Sequence, residues 1–267
     1  MITRAIGFLR DILTKRTIIY ALAKRDFQKQ YMGSYLGFVW VFLQPLIMIF
    51  ILYAVFTFGF RAGATTDLPF AVYLITGIIP WMYFSENLSV ASNVLTEYSY
   101  LINNMDFRLS VLPIVKILSA MVPHFFFILL AVIIAWHHGY PPSLYTLQVI
   151  YYLFAMVALL FGLDLLTSST NIFVKDVSKV VSIIVQFGFW MTPIVWNISI
   201  VPPKYRWIIE ANPVFYFVRG YRDSLVYSVP FWHHPVGTIY FWCFAIAILL
   251  FGVTVFGKLR SHFSEVI

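Results

Sequence analysis

Gly252-Val253-Thr254-Val255-Phe256-Gly257-Lys258-Leu259 nearly spells the loop that cradles nucleotide phosphates. Such a loop needs Ser or Thr after the Lys to hold Mg²⁺, and a following helix whose N-terminus faces phosphate. Leu259 takes that place and the filler is β-branched and aromatic, so Lys258 reads as a snorkelling anchor closing an apolar stretch. Two adjacent pairs, His137-His138 and His233-His234, point their rings in different directions on any regular backbone and make no ready metal site. The one cysteine, Cys243, rules out a thiolate cluster and an intrachain disulfide. Glu86, Lys116 and Asp164 fall in apolar surroundings, where an ionisable group is costly and invites a functional reading. All three lie near the expected cytoplasmic ends of their stretches, within reach of water or a basic partner. They do not form the series of carboxylates along one helix face that an ion-driven pump needs. The residues therefore predict no catalytic group, no metal site and no cofactor held by this chain.

What must position them is a membrane bundle. The 267 residues are 61% hydrophobic and only 11% charged, with a mean hydropathy of +0.85. A spanning helix takes about 20 mostly apolar residues, and six stretches qualify, at about 36–58, 68–90, 114–136, 144–166, 180–197 and 236–256. The expected fold is an all-α membrane protein with these six spans in a domain over 34–257. A cytoplasmic tail follows at 258–267. An amphipathic helix within residues 1–33 precedes the spans and lies on the membrane surface, with Phe8, Ile12, Ile19, Leu22 and Phe27 at roughly helical spacing. Residues 1–30 hold seven Lys/Arg against Asp11 and Asp26. Such a patch beside a span faces anionic lipid in the cytoplasmic leaflet rather than nucleic acid. Thirteen of the eighteen Lys/Arg fall on one side if both termini are cytoplasmic, which sets the expected orientation.

Between the last two spans, 204–210 and 214–223 read as short helices set apart by Asn212-Pro213. Both are too short to cross, so they lie at the interface or dip back into protein-lined space. Their Tyr205, Trp207, Tyr216 and Tyr221 suit headgroup level. Pro80, Pro123 and Pro193 predict kinks or breaks. Gly33–Gly37 and Gly59–Gly63 give weak support for a helix-dimer face.

Several segments together resemble the membrane subunit of type-2 ABC exporters, in the branch that exports O-antigen, capsule and teichoic-acid polymers. They are Arg25-Asp26-Phe27-Gln28-Lys29-Gln30-Tyr31 with Gly33-Ser34-Tyr35-Leu36-Gly37 and Trp40…Leu43-Gln44-Pro45, then Leu74-Ile75-Thr76-Gly77-Ile78-Ile79-Pro80-Trp81. Leu101-Ile102-Asn103-Asn104, Phe107-Arg108…Leu112-Pro113 and Phe173-Val174-Lys175-Asp176 follow, then Thr192-Pro193-Ile194-Val195-Trp196 and Asn212-Pro213 before Tyr221-Arg222-Asp223. They stand in the family's order over 22–223. The chain departs from it in lacking Pro between Phe107 and Arg108 and in carrying Lys175 where Arg is frequent.

The resemblance implies a homodimer in the cytoplasmic (inner) membrane, bound to two copies of a separate cytoplasmic ATPase that holds the ATP and Mg²⁺. It implies a lipid-linked glycan as cargo. The arm and the loop between spans two and three would touch the ATPase, through Arg25, Asp26, Asn93, Glu97, Tyr98, Asn104 and Arg108. Trp81, Trp196, Tyr205, Trp207, Tyr216, Tyr221 and Arg222 are the candidates for the channel and its exit. A permease for drugs or small lipidic cargo is the nearest alternative and predicts a narrower lumen. A secondary transporter predicts buried charge pairs or repeated halves, and an embedded transferase predicts clustered His, Asp or Glu.

Overall fold

The computed structural model describes residues 14–29, 35–60, 68–101 and 109–266. Among them every regular element is helical. Helix α1 (Arg16–Lys29) is followed by α2 (Trp40–Ala54), which a 3₁₀ turn introduces at Gly37–Val39 and a π turn extends over Val55–Gly59. Then come α3 (Phe70–Ala91), the one-turn α4 (Val94–Glu97), α5 (Leu112–His137), α6 (Gln148–Phe173) and α7 (Asp176–Met191). The short α8 (Arg206–Glu210) and α9 (Pro213–Arg222) precede α10 (Pro235–Leu259) and α11 (Phe263–Val266).

Four helical stretches are long and apolar enough to cross a membrane: Gly37–Gly59, Leu109–His137, Leu144–Phe173 and Pro235–His262. Helix α3 is 22 residues long and α7 only 16, about 24 Å at 1.5 Å per residue. Helix α7 stops at Met191, so residues 192–197 of the expected fifth stretch are not helical. The cause is local. Pro193 pushes Thr192 into an extended conformation (φ −98°, ψ 132°), and the Thr192 hydroxyl bonds back to the Gly188 carbonyl at 2.7 Å. Helix α6 runs the other way, to Phe173, beyond the expected end at 166. The hydroxyls of Thr167, Ser168, Ser169 and Thr170 each donate to the carbonyl four residues earlier, so a polar run stays helical.

Helix α3 is the hub. Most of its residues are buried, and it packs against α5, α6, α7 and α9. Its first two-thirds, Phe70–Phe84, hold Thr76 as their one non-aromatic polar residue, and a helix so apolar all round belongs in such a place. Helices α6 and α10 make the most extensive contact of the bundle, because two glycines let their backbones touch. A Cβ on Gly162 would sit 2.8 Å from Leu249 Cα, and one on Gly252 would strike the Gly162 carbonyl. This is the small-residue packing that holds helices together where the surroundings are already apolar. Helix α2 buries no residue at all, and α7 buries only Val181 and Phe189.

Candidate functional site

At one end of the bundle a set of charges ties three elements together. Lys116, four residues into α5, donates to Asp26 Oδ1 of α1 at 2.5 Å and to Glu97 Oε2 of α4 at 2.8 Å. Asp26 Oδ1 also accepts from the Tyr98 hydroxyl at 3.0 Å, and Lys29 of α1 reaches Glu97 Oε1 at 2.8 Å. The Asp26 and Lys116 side chains are only 1% and 5% exposed, so this is a buried pair with its hydrogen bonds arranged around it. The surface helix can bury Asp26 because Ala23 and Ile19 lie one and two turns earlier on the same face, packed against Val111 and Val115. Asn93 and Asn171 extend the tie. Asn171 Nδ2 donates to Asn93 Oδ1 at 3.0 Å, and its Oδ1 accepts the Ser178 amide of α7 at 3.0 Å.

The charges act on one another. Burial raises the Glu97 pKa, but the hydrogen bonds and charges of Lys116 and Lys29 outweigh it and hold the carboxyl below its ordinary value of 4.5. Glu97 raises the pKa of Lys29, and burial followed by the Asp26 carboxylate pushes the Tyr98 phenol up. A carboxyl depressed by folding contributes stability that is full above its unfolded pKa and lost as pH falls through the folded one. Protection of the α1 amides against hydrogen exchange, corrected for intrinsic rate, is therefore expected to be constant near neutrality and to drop below about pH 4. Protection that stays level to pH 3 would show that Glu97 does not hold the arm.

At the opposite end Arg222, at the last turn of α9, clasps the non-helical segment that follows α7. Its guanidinium donates to the Pro193 carbonyl at 2.7 Å, to the Ile194 carbonyl at 3.1 Å and to the Tyr73 carbonyl at 3.4 Å. It lies 3.8 Å from the centre of the Tyr73 ring, whose hydroxyl donates to the Trp196 carbonyl at 2.7 Å. Gly77 is what lets it fit, since a Cβ there would land on the guanidinium. Asn212 completes the clasp: its Nδ2 donates to Thr192 Oγ1 at 2.9 Å while its Oδ1 caps α9 at Val214. The segments Leu74–Trp81, Thr192–Trp196, Asn212-Pro213 and Tyr221–Asp223 thus converge on one piece of packing.

The structure brings together Asp26, Glu97 and Tyr98 of the expected arm-and-loop set, with Asn93 one turn away and Arg25 on the exposed side of α1. Asp26 and Tyr98 are buried, and Asp26 Oδ1 and the Tyr98 hydroxyl bond each other rather than facing solvent. Asn104 and Arg108 lie outside the described residues. Of the exit-side set, Tyr205 and Trp207 are exposed. Tyr216 is half-buried, and its hydroxyl lies 2.8 Å from that of Tyr151. Tyr221 is turned into the bundle. It is fully buried, its hydroxyl 2.8 Å from His124 Nε2. Trp81 is also internal, against Gly188 of α7, and Trp196 donates its indole N–H to the Trp190 carbonyl. Asp164, expected within reach of water, is fully buried with both carboxyl oxygens unpartnered. Sequence spacing does not pair Lys116 with Asp26 or Tyr73 with Trp196, because these partners lie 90 and more residues apart.

Residues 17–226 match the family model described as "ABC-2 type transporter". The chain is 26% identical over 263 residues to an O-antigen export system permease protein RfbA of Klebsiella pneumoniae, covering 98% of this chain and 97% of that one. It is 22% identical to RfbA of Myxococcus xanthus over 81% of this chain and 83% of that one. It is 23% identical to the capsule polysaccharide export inner-membrane protein CtrC of Neisseria meningitidis, over 94% of each.

Proposed function

Because the chain belongs to the ABC-2 type transporter family, we propose that it is the membrane permease of an exporter for lipid-linked polysaccharide of the O-antigen or capsule kind. The observation that carries this reading is end-to-end similarity to O-antigen and capsule export permeases, which also favours a polymer over a drug or small lipidic cargo. The chain contributes no catalysis and no cofactor of its own. A separate cytoplasmic ATPase binds ATP and Mg²⁺ and drives the cycle.

In this reading the end carrying α1 and α4 is cytoplasmic, with both termini on that side, and two copies of the ATPase dock there. Six helices cross the inner membrane: α2, α3, α5, α6, α7 and α10. Helices α8 and α9 dip back from the outer face. The ionic tie of Asp26, Glu97 and Lys116 suits transmission, since a push on α4 reaches α1 and α5 through hydrogen bonds rather than through loose loop backbone. Helices α2 and α7 leave their faces uncovered, as a homodimer with the polymer path between the subunits requires. Movement of the two states then follows from differential contacts made by the ATPase in each.

The test is made in the organism that encodes the chain and in liposomes. Deleting the gene is expected to remove surface polysaccharide and to leave its lipid-linked precursor inside, with both reversed by the intact gene. The purified chain alone is expected to move no glycan when ATP is added. Normal surface polymer in the deletion strain, or transport by the lone chain, would overturn the proposal.

A further inference from the structure

An opening of ≈ 430 Å³ runs up the bundle between α2, α3 and α5, above Asp26 and Lys116. Its floor is polar. Asp26 Oδ2 and both polar atoms of the Asn87 amide are buried with no hydrogen-bond partner, and both residues line the opening. Glu86 joins them from α3 and Gln44 from α2, and Glu86 makes no ion pair among the described residues. Among the described lining residues the one cation, Lys116, already gives its protons to Asp26 and Glu97. The wall is apolar. Trp40, Gln44 and Met48 recur every fourth residue and so put one face of α2 along the groove, with Phe127 at its far end.

These features specify the chemistry of an occupant. Two unpartnered acceptors at this floor, Asp26 Oδ2 and Asn87 Oδ1, are costly unless a donor reaches them, and the Asn87 Nδ2 donor calls for an acceptor beside it, as a phosphate oxygen would be. A bare ion fills neither the volume nor the wall. Two carboxylates, Asp26 and Glu86, disfavour an anionic headgroup, and a quaternary ammonium has no N–H to offer their oxygens. A primary ammonium carries three donors and a positive charge, and a polar floor beneath an apolar wall suits one attached to an acyl chain. Phe127 stands eleven residues beyond Lys116 on α5, about 16 Å along the helix, so polar and apolar ends are separated by more than half a leaflet of hydrocarbon.

We infer that this groove binds an ethanolamine phospholipid of the surrounding bilayer, with its ammonium held by Asp26, Glu86 and Asn87 and an acyl chain against α2. The site takes neither the cargo nor the ATPase, though it shares Asp26 and Lys116 with the ionic tie. The full-length chain is equilibrated in mixed micelles holding equal amounts of dioleoyl phosphatidylethanolamine and dioleoyl phosphatidylcholine, and the bound lipid is measured by native mass spectrometry. Ethanolamine lipid is expected to be enriched about tenfold, the worth of roughly one charge-assisted hydrogen bond. Glu86→Gln is expected to bring the ratio close to one while leaving the unfolding temperature within a few degrees. Asn87→Leu, which fills the floor with an apolar side chain, is a second route to the same loss. Equal binding of the two lipids by the unaltered chain overturns the inference, and so does enrichment that survives Glu86→Gln. A soluble source of the same ammonium is tested with excess phosphoethanolamine. Failure to displace the lipid is expected, and displacement would mean that the groove serves a soluble amine instead.

Discussion

Lys116→Met is expected to lower the stability of the folded chain by about 3–5 kcal/mol, the usual cost of removing one partner from a buried ion pair. The size follows from what remains. Asp26 would keep a carboxylate with 1% of its side chain exposed and only the Tyr98 hydroxyl to bond it. Glu97 would retain only Lys29, whose own side chain is 61% exposed and whose ion pair is correspondingly weak. The same argument predicts recovery. Asp26→Asn in the Lys116→Met background removes the stranded charge and keeps an amide oxygen for Tyr98, so the double variant should regain at least half of the loss. Thermal unfolding of the purified chain in detergent measures the first quantity, and protease sensitivity of α1 reports where the damage lies. A Lys116→Met protein within about 1 kcal/mol of the original would show that the tie is incidental. A double variant no better than the single would assign the loss to packing. Within the proposed function, the double variant has a further use. It restores the fold without the charged linkage between α4 and α5, so export measured in it separates transmission from stability.

That tie marks where sequence reading stops. The apolar windows around α2, α5, α6 and α10 are long enough to be recognised without any partner, because a membrane span is defined by its own composition. The motif segments also stand in order along the chain. What they do could not be read from them. Tyr221, an aromatic in a loop-like stretch, has the composition of a headgroup residue, yet its hydroxyl meets His124 97 residues away in the core. Arg222 beside it looks like a rim charge and is 5% exposed. The polar run Thr167–Thr170 looks like the end of a span, because composition does not reveal hydroxyls that bond to their own helix. In each case the deciding contact is long-range or local to the backbone, and neither is encoded in hydropathy.

Arg222→Met is expected to cost about 3 kcal/mol and to abolish export, including in preparations where the chain still reaches the membrane. The guanidinium is a fork, and its geometry carries the prediction. It gives protons to three carbonyls from two separate segments while its flat face covers the Tyr73 ring. Methionine fills a similar volume but leaves the Ile194 carbonyl without the guanidinium and the Pro193 carbonyl with only the longer bond from the Tyr73 hydroxyl at 3.3 Å, in a stretch where Pro193 and the extended Thr192 already forbid helical bonding. Lysine offers a point charge whose three donors radiate from one atom and cannot span both segments, so it is expected to recover less than half of the loss. The decisive comparison uses Gly77. Gly77→Ala should weaken the original protein, because the new Cβ lands on the guanidinium and forces it off its carbonyls. In the Arg222→Met background the same methyl has a flexible side chain beside it, and its next neighbour, Ile194 Cα at 3.5 Å, is an ordinary contact. The two substitutions should therefore be less than additive by about 1 kcal/mol or more in thermal unfolding. Strict additivity would mean that Gly77 matters for some reason other than the clasp. Loss of export in Arg222→Met together with retention in Gly77→Ala would place the important contact at the Pro193 carbonyl, which sits on the far side of the fork from Gly77 and keeps the shortest of the three bonds.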